Sequence, residues 1–212
     1  MYILILVLGM IVLCFFAIQI VDIFLIGFLH KRKNKESVPN EFMITKSNRI
    51  DIQGEYECSA FSSAYLLRHF GKEAEGFALY DKIPSKFKMS NGYVYPKGVI
   101  HCLSGNGVNV QYCKGNMNVL KSEVAKGIPV IVLIKIREDK NWLHFVPVVG
   151  YDEKYIYIAE SYEPLINCDE KFYNRKVEIE KFKKLWKTGD YMLFRFVCDS
   201  LGVVAPIEDA TW

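Results

Sequence analysis

Residues 1 to 29, MYILILVLGMIVLCFFAIQIVDIFLIGFL, carry Asp22 as their only charged side chain. A run of this kind does not join a water-facing domain. It exceeds the roughly 20 apolar residues needed to cross a hydrocarbon layer. No Lys or Arg opens the run and no small-residue cleavage pattern precedes the basic cluster, which favours a retained transmembrane helix over a removable signal peptide. Lys31, Arg32, Lys33 and Lys35 follow at once, so the positive-inside rule puts the carboxyl side in the cytoplasm. A span over residues 2 to 21 would leave Asp22 at the interface, where a carboxylate costs little. The expected organisation is a single-pass membrane protein. Residues 1–30 form the anchor, 31–45 a basic polar linker containing Pro39, and 46–212 one domain on the cytoplasmic side.

What remains after the anchor suffices for one domain with a sizeable core and hardly for two. The net charge of +3 is too weak to imply nucleic acid as a partner. Cysteines at 14, 58, 102, 113, 168 and 198 show no zinc-ligand spacing, and no glycine loop suited to phosphate occurs, so no metal or cofactor is expected. A cytoplasmic domain keeps its thiols reduced, and core packing is the plain fate of Cys102, Cys113, Cys168 and Cys198. On the other side of the membrane a disulfide among those four would become open, with a pairing that sequence does not choose.

Within the domain, helix and strand patterns alternate, which predicts an α+β fold. The stretch Phe77 to Lys82 is helical or irregular and is broken by Pro84. A helix is expected over Lys97–Leu103, a strand over Val108–Cys113, and a helix over Val119–Lys126 closed by Gly127. PVIVLIKIR, from Pro129 to Arg137, is dense in β-branched residues and reads as a central strand ending in a polar loop, REDKN. Val177 to Lys187 patterns as an amphipathic helix, and YMLFRFV after it as a sheet-edge strand. YEPLIN, beside Cys168, is a possible border of a substrate cleft.

The segment Gln53 to Gly71, QGEYECSAFSSAYLLRHFG, delivers Cys58 to the start of a helix. Ala60, Phe61, Ala64, Tyr65 and Leu67 recur on one face, and Gly71 supplies the stop. Unpaired N–H groups and the helix dipole favour an anion in the first turn, and so a thiolate over a free thiol of pKa about 8.5. The plain alternative is an inert buried cysteine. A thiol nucleophile needs a base and a third group that orients the base. HFVPVVGYDEKYIYIAES, from His144 to Ser161, reads as a β-hairpin whose register decides whether those groups exist. A three-residue turn at Tyr151 to Glu153 sets His144 directly opposite Glu160. A two-residue turn at Glu153 and Lys154 instead sets Glu160 opposite Pro147. His69, eleven residues along the helix, lies about 16 Å from Cys58 by helix rise and cannot serve. His30 sits at the membrane boundary. His101 falls in a helical pattern with no carboxylate following at hairpin spacing.

These stretches, ECSAFSSAYLLRHFG with Gln53, then PVIVLIK, then HFVPVVGYDEKYIYIAES, resemble the papain-like cysteine peptidases that process bacteriocin leader peptides after a double glycine, and their stand-alone relatives. The likeness covers roughly residues 47 to 161. It implies a helix carrying the nucleophile packed on an antiparallel sheet, with Cys58 as nucleophile, His144 as general base and acid, and Glu160 where the family usually has Asp. It also implies that the Gln53 amide joins the Cys58 N–H in holding the oxyanion. The implied partner is a peptide or protein substrate. Departures are specific: Gln53 stands one residue closer to the cysteine than is common, Glu57-Cys58-Ser59 replaces Asp-Cys-Gly, and Glu160-Ser161 replaces Asp-Pro. With no transporter domain following, the resemblance is to a stand-alone member. Two rivals stay open: a degenerate peptide-binding module tethered to the membrane, and a transpeptidase, amidase or acyltransferase on the same triad.

Overall fold

The computed structural model describes Met10 and residues 38–196. Apart from Met10, the expected transmembrane helix lies outside these residues, as do Cys14 and Cys198. Among the described residues no helix is long and apolar enough to cross a membrane.

The described chain runs β1 (Phe42–Met43), α1 (Cys58–His69), α2 (Gly76–Lys82), a 3-10 turn, α3 (Pro96–Gly105), β2 (Val110–Lys114) and α4 (Met117–Val124), then continues with β3 (Val130–Arg137), β4 (Lys140–Tyr151), β5 (Tyr155–Ile158), β6 (Arg175–Glu178), α5 (Ile179–Thr188) and β7 (Met192–Phe196). Among the described residues these strands form one antiparallel sheet in the order β2-β7-β3-β4-β5-β6, with β1 on the far end of β4. The α+β expectation holds. The stretch 31–45 read as a linker includes β1, so its last residues lie on the sheet: Phe42 and Met43 pair with Tyr151 and Gly150.

β3 explains the architecture. Ile131 and Leu133 join a core with α1 and α3, while Val130, Val132 and Ile134 join a second core with α4 and α5. Both faces of the strand are covered, which is why its sequence is a continuous apolar run with no polar alternation. α1 departs from the amphipathic expectation in the same sense. Only Arg68 of this helix is not buried, because the sheet, α2 and α3 enclose it. Its approach to α2 is so close that a Cβ at Gly76 would lie 2.4 Å from the Phe61 ring. Gly71, with φ of +74°, ends the helix as the sequence signals.

Three expectations are corrected. The polar REDKN segment is a tight hairpin, with Arg137 paired to Lys140, so β4 begins well before His144. The β7 strand is internal, between β2 and β3. After α5, Asp190 and Tyr191 adopt φ of 53° and 58°, and Gly189 packs so tightly on β3 that a Cβ there would sit 1.9 Å from the Leu133 carbonyl oxygen. That close return carries the chain back alongside β3.

The third correction concerns the hairpin carrying His144. Tyr151 pairs with Ile156 and Gly150 with Tyr157, the two-residue register. Asp152 fixes it, since its carboxylate accepts the N–H groups of Lys154 and Tyr155 and the Tyr157 hydroxyl. A bulge between Val148 and Gly150 then shifts pairing by one, so that Val148 faces Ile158. His144 and Glu160 are therefore not directly opposed.

Candidate active site

α1 delivers Cys58 at its first residue, with no side-chain cap ahead of it. At that position the backbone N–H has no intrahelical acceptor and is free for a ligand. The helix is pinned to the sheet by the Ser62 hydroxyl, which donates to the Phe145 carbonyl at 2.9 Å. Phe145 is the neighbour of His144, so this one bond sets the helix that begins at Cys58 against the strand that carries His144. The two side chains line one cleft, and His144 interacts electrostatically with Cys58.

His144 is 3% exposed and Glu160 is fully buried. The imidazole Nε2 lies 2.7 Å from Glu160 Oε1, which leaves Nδ1 as the ring nitrogen for the thiol. The hairpin supplies this contact diagonally. Ala159 N–H donates to the Pro147 carbonyl, and continuing that register puts Glu160 beside Val146, two residues along the strand from His144. A glutamate side chain spans such a diagonal.

A carboxylate at zero exposure needs a hydrogen-bond partner on each oxygen. Glu160 has this. Tyr162 N–H donates to Oε1 at 2.8 Å, and Arg175 Nη1 donates to Oε2 at 2.6 Å from a guanidinium itself 5% exposed. Arg175 arrives because β6 pairs it with Ile158, two residues before Glu160. Asn174 locks the backbone of Glu160 from both sides, accepting its N–H at 2.7 Å and donating to its carbonyl at 2.8 Å. Burial alone would favour protonated Glu160, but the His144 charge and hydrogen bond, then Arg175, hold it well below the ordinary carboxylate range. Burial likewise opposes a charged imidazole. The Glu160 charge and the hydrogen bond it accepts from His144, together with Cys58, outweigh it and raise His144 above the ordinary range. The constellation is built to keep a proton on His144.

Gln53 stands beside these residues. It lines a cleft of about 450 Å³ together with Tyr56, Cys58, Tyr93, Trp142 and His144. Its Oε1 accepts the Ser161 hydroxyl at 2.7 Å, and its Nε2 makes a 3.3 Å bond to the Gly54 carbonyl. Tyr162, from the segment read as a possible cleft border, lines the same cleft, whereas Pro164 and Leu165 line a neighbouring depression. The competing histidines stand elsewhere. His69, at the far end of α1, is buried and held down to about 4 by desolvation and nearby Lys46, and His101 is exposed on α3 against Phe87. Cys58, Cys102 and Cys168 are free thiols. Burial raises Cys102 to about 11, as befits a core residue.

Sequence reasoning missed Arg175, Asn174 and Ser161. NRKVEIEK reads as a charged surface stretch, and its alternation of buried and exposed residues is too short to separate from a helix start. A usable signal existed in chemistry: a glutamate expected beside a buried histidine calls for a cation on the next strand.

A thiol at the start of a helix packed against an antiparallel sheet, lining one cleft with an imidazole that bonds a buried carboxylate, is the set of groups a cysteine peptidase requires. The model of the Peptidase_C39 like family matches residues 35–191, and the chain belongs to that family. Its fold is shared with a C39-like peptidase from Bacillus anthracis (TM-score 0.59, 17% identity, covering 76% of this chain and 98% of that one). It is shared also with the peptidase domain of Streptococcus ComA, a bifunctional ABC transporter of a quorum-sensing pathway (0.54, 15%, 69% and 96%). A double glycine motif protease from an AMS/PCAT transporter, solved with its leader peptide, is a further neighbour (0.50, 19%, 73% and 96%). No curated protein gives a significant match.

Proposed function

We propose that this chain is a membrane-anchored cysteine peptidase that cleaves a peptide through Cys58, His144 and Glu160, with a leader peptide ending in a double glycine as its substrate class. The observation that carries the reading is the His144 imidazole, which lines one cleft with the Cys58 thiol and bonds buried Glu160 at 2.7 Å. Anchoring is supported by the apolar run at residues 1–29 and the basic cluster after it, which also set the domain on the cytoplasmic side. The substrate class is supported by family membership and by the neighbour solved with a leader peptide.

The cycle follows from the geometry. Cys58 Sγ gives its proton to His144 Nδ1 and attacks the scissile carbonyl, and the C=O electrons move onto oxygen. The Cys58 N–H and the Gln53 amide stabilise that oxyanion. His144 returns the proton to the leaving amine as the C–N bond breaks, which leaves a thioester on Cys58. Water, deprotonated by His144, then hydrolyses the thioester and restores the thiol. Throughout, Glu160 holds Nε2 and with it the ring's orientation.

The substrate class is tested by offering the full chain peptides that carry a leader ending in Gly-Gly beside matched Ala-Ala peptides, with products read by mass spectrometry. Cleavage after the second glycine, and none of the Ala-Ala set, is expected. Equal cutting of both sets would remove the double-glycine assignment.

A further inference from the structure

We propose that Ser161 is a positioning residue that aims the Gln53 amide at the oxyanion, an inference that rests on Cys58 being the nucleophile. Ser161 follows Glu160 directly, at the position where proline is usual in the resembled family. The two residues serve different halves of the site: Glu160 holds the base, and Ser161 holds the oxyanion donor.

The geometry is a two-point clamp. Gln53 N–H donates to the Ser161 carbonyl at 2.9 Å, and the Ser161 hydroxyl donates to Gln53 Oε1 at 2.7 Å. Both residues are buried, Gln53 to 9% exposure and Ser161 to 5%, so water does not compete for these bonds. A primary amide can present either its oxygen or its nitrogen by rotating about its last torsion. Here the alternatives are not equivalent. The Gly54 carbonyl, 3.3 Å from the amide, only accepts, so the nitrogen must lie on that side. The oxygen then faces Ser161, whose hydroxyl is its donor. One amide N–H is used weakly by Gly54, and the other is left for the cleft that Gln53 lines with Cys58 and His144. A proline at 161 could not make this bond. The hydroxyl therefore fixes an amide that stands one residue nearer the cysteine than is common.

Asn174 extends the clamp. By gripping both backbone groups of Glu160, it fixes the start of the dipeptide from which Ser161 reaches Gln53. The base and the oxyanion donor thus share one mount.

Two small probes separate this role from a merely structural one. Acylation of Cys58 by p-nitrophenyl acetate passes through a tetrahedral oxyanion, whereas alkylation by iodoacetamide displaces iodide at a saturated carbon and forms none. In the full chain, Ser161→Ala is expected to slow acylation about tenfold, a fraction of the 10²–10³ lost when an oxyanion donor is deleted outright. Alkylation stays at the wild-type rate, Ser161→Thr restores acylation, and in a Gln53→Ala background Ser161→Ala has no further effect. Equal loss of both reactions, an undiminished loss in the Gln53→Ala background, or no loss of acylation overturns the inference. Absence of selective modification of wild-type Cys58 by either probe has a different meaning: the nucleophile assignment itself falls, and the role of Ser161 with it.

Discussion

Cys58→Ala abolishes peptide cleavage, while Cys102→Ala leaves it at the wild-type level. Removing the nucleophile of a triad hydrolase lowers turnover by a factor on the order of 10⁶, because no other group supplies the covalent step. The contrast between the two cysteines is what makes the test specific. Both are buried and both are free thiols. Cys58 opens a helix and lines a cleft with His144, whereas Cys102 sits inside α3 in the core. Loss of cleavage in both variants would point to a packing effect, and unchanged cleavage in Cys58→Ala would falsify the mechanism. Folding is not at issue in reading the result, since replacing a small buried thiol by alanine removes little apolar contact.

The second large effect is expected at Arg175. Arg175→Met leaves the Glu160 carboxylate, at zero exposure, with one of its charged partners gone. Breaking one side of a buried ion pair costs about 3–5 kcal/mol, most of it the penalty on the charge left behind. For a chain of this size that corresponds to a fall in Tm of roughly 10 °C. Activity should fall too, because Glu160 then holds the His144 imidazolium less firmly. Adding Glu160→Gln to Arg175→Met recovers part of the stability and none of the activity, since the stranded charge is gone but so is the anion beside His144. Recovery of both would assign Arg175 and Glu160 a purely structural role.

Glu160 and His144 set a pH dependence of stability, and its sign follows from their two shifts. The pKa of Glu160 is lowered on folding, so its contribution is present above the unfolded value of about 4.3 and is lost as pH falls through the folded one. That of His144 is raised, so its contribution is full below about 6.5 and is lost as pH rises through the folded value. The difference in urea midpoint between wild type and a His144→Ala/Glu160→Leu variant should be largest between those limits and shrink on either side. A difference independent of pH would mean that the pair is not charged in the folded protein.

The chemistry of the site was more legible in the sequence than its geometry. Cys58 at a helix start and His144 and Glu160 sixteen apart were readable because residue type and position narrow the possible roles. The register that would join them directly was not the one adopted. A three-residue turn brings the two face to face on paper, yet Asp152 closes a two-residue turn and a bulge at Val149 corrects the pairing by one. Bulges depend on what packs against the strand, here the close approach of Met43 to Gly150, and leave little local signal. Burial was misread for a related reason. The apolar pattern of α1 marks one face, but Ser59, Ser62 and Ser63 are buried as well, and the Ser62 hydroxyl bonds the sheet. Arg175 and Asn174 act on a residue fourteen or fifteen positions away through a strand pairing that only the fold discloses.

The most direct test of the account is the pH profile of iodoacetamide alkylation at Cys58 in the full chain, read by peptide mass spectrometry, for wild type beside His144→Ala. With His144 acting as base for the thiol, wild-type alkylation should far exceed that of the variant at about pH 6. His144→Ala should lose it at pH 6 and regain it only toward the range of an ordinary thiol, about 8.5. Coincident profiles for the two proteins would contradict the account, because Cys58 would then react without any help from the imidazole.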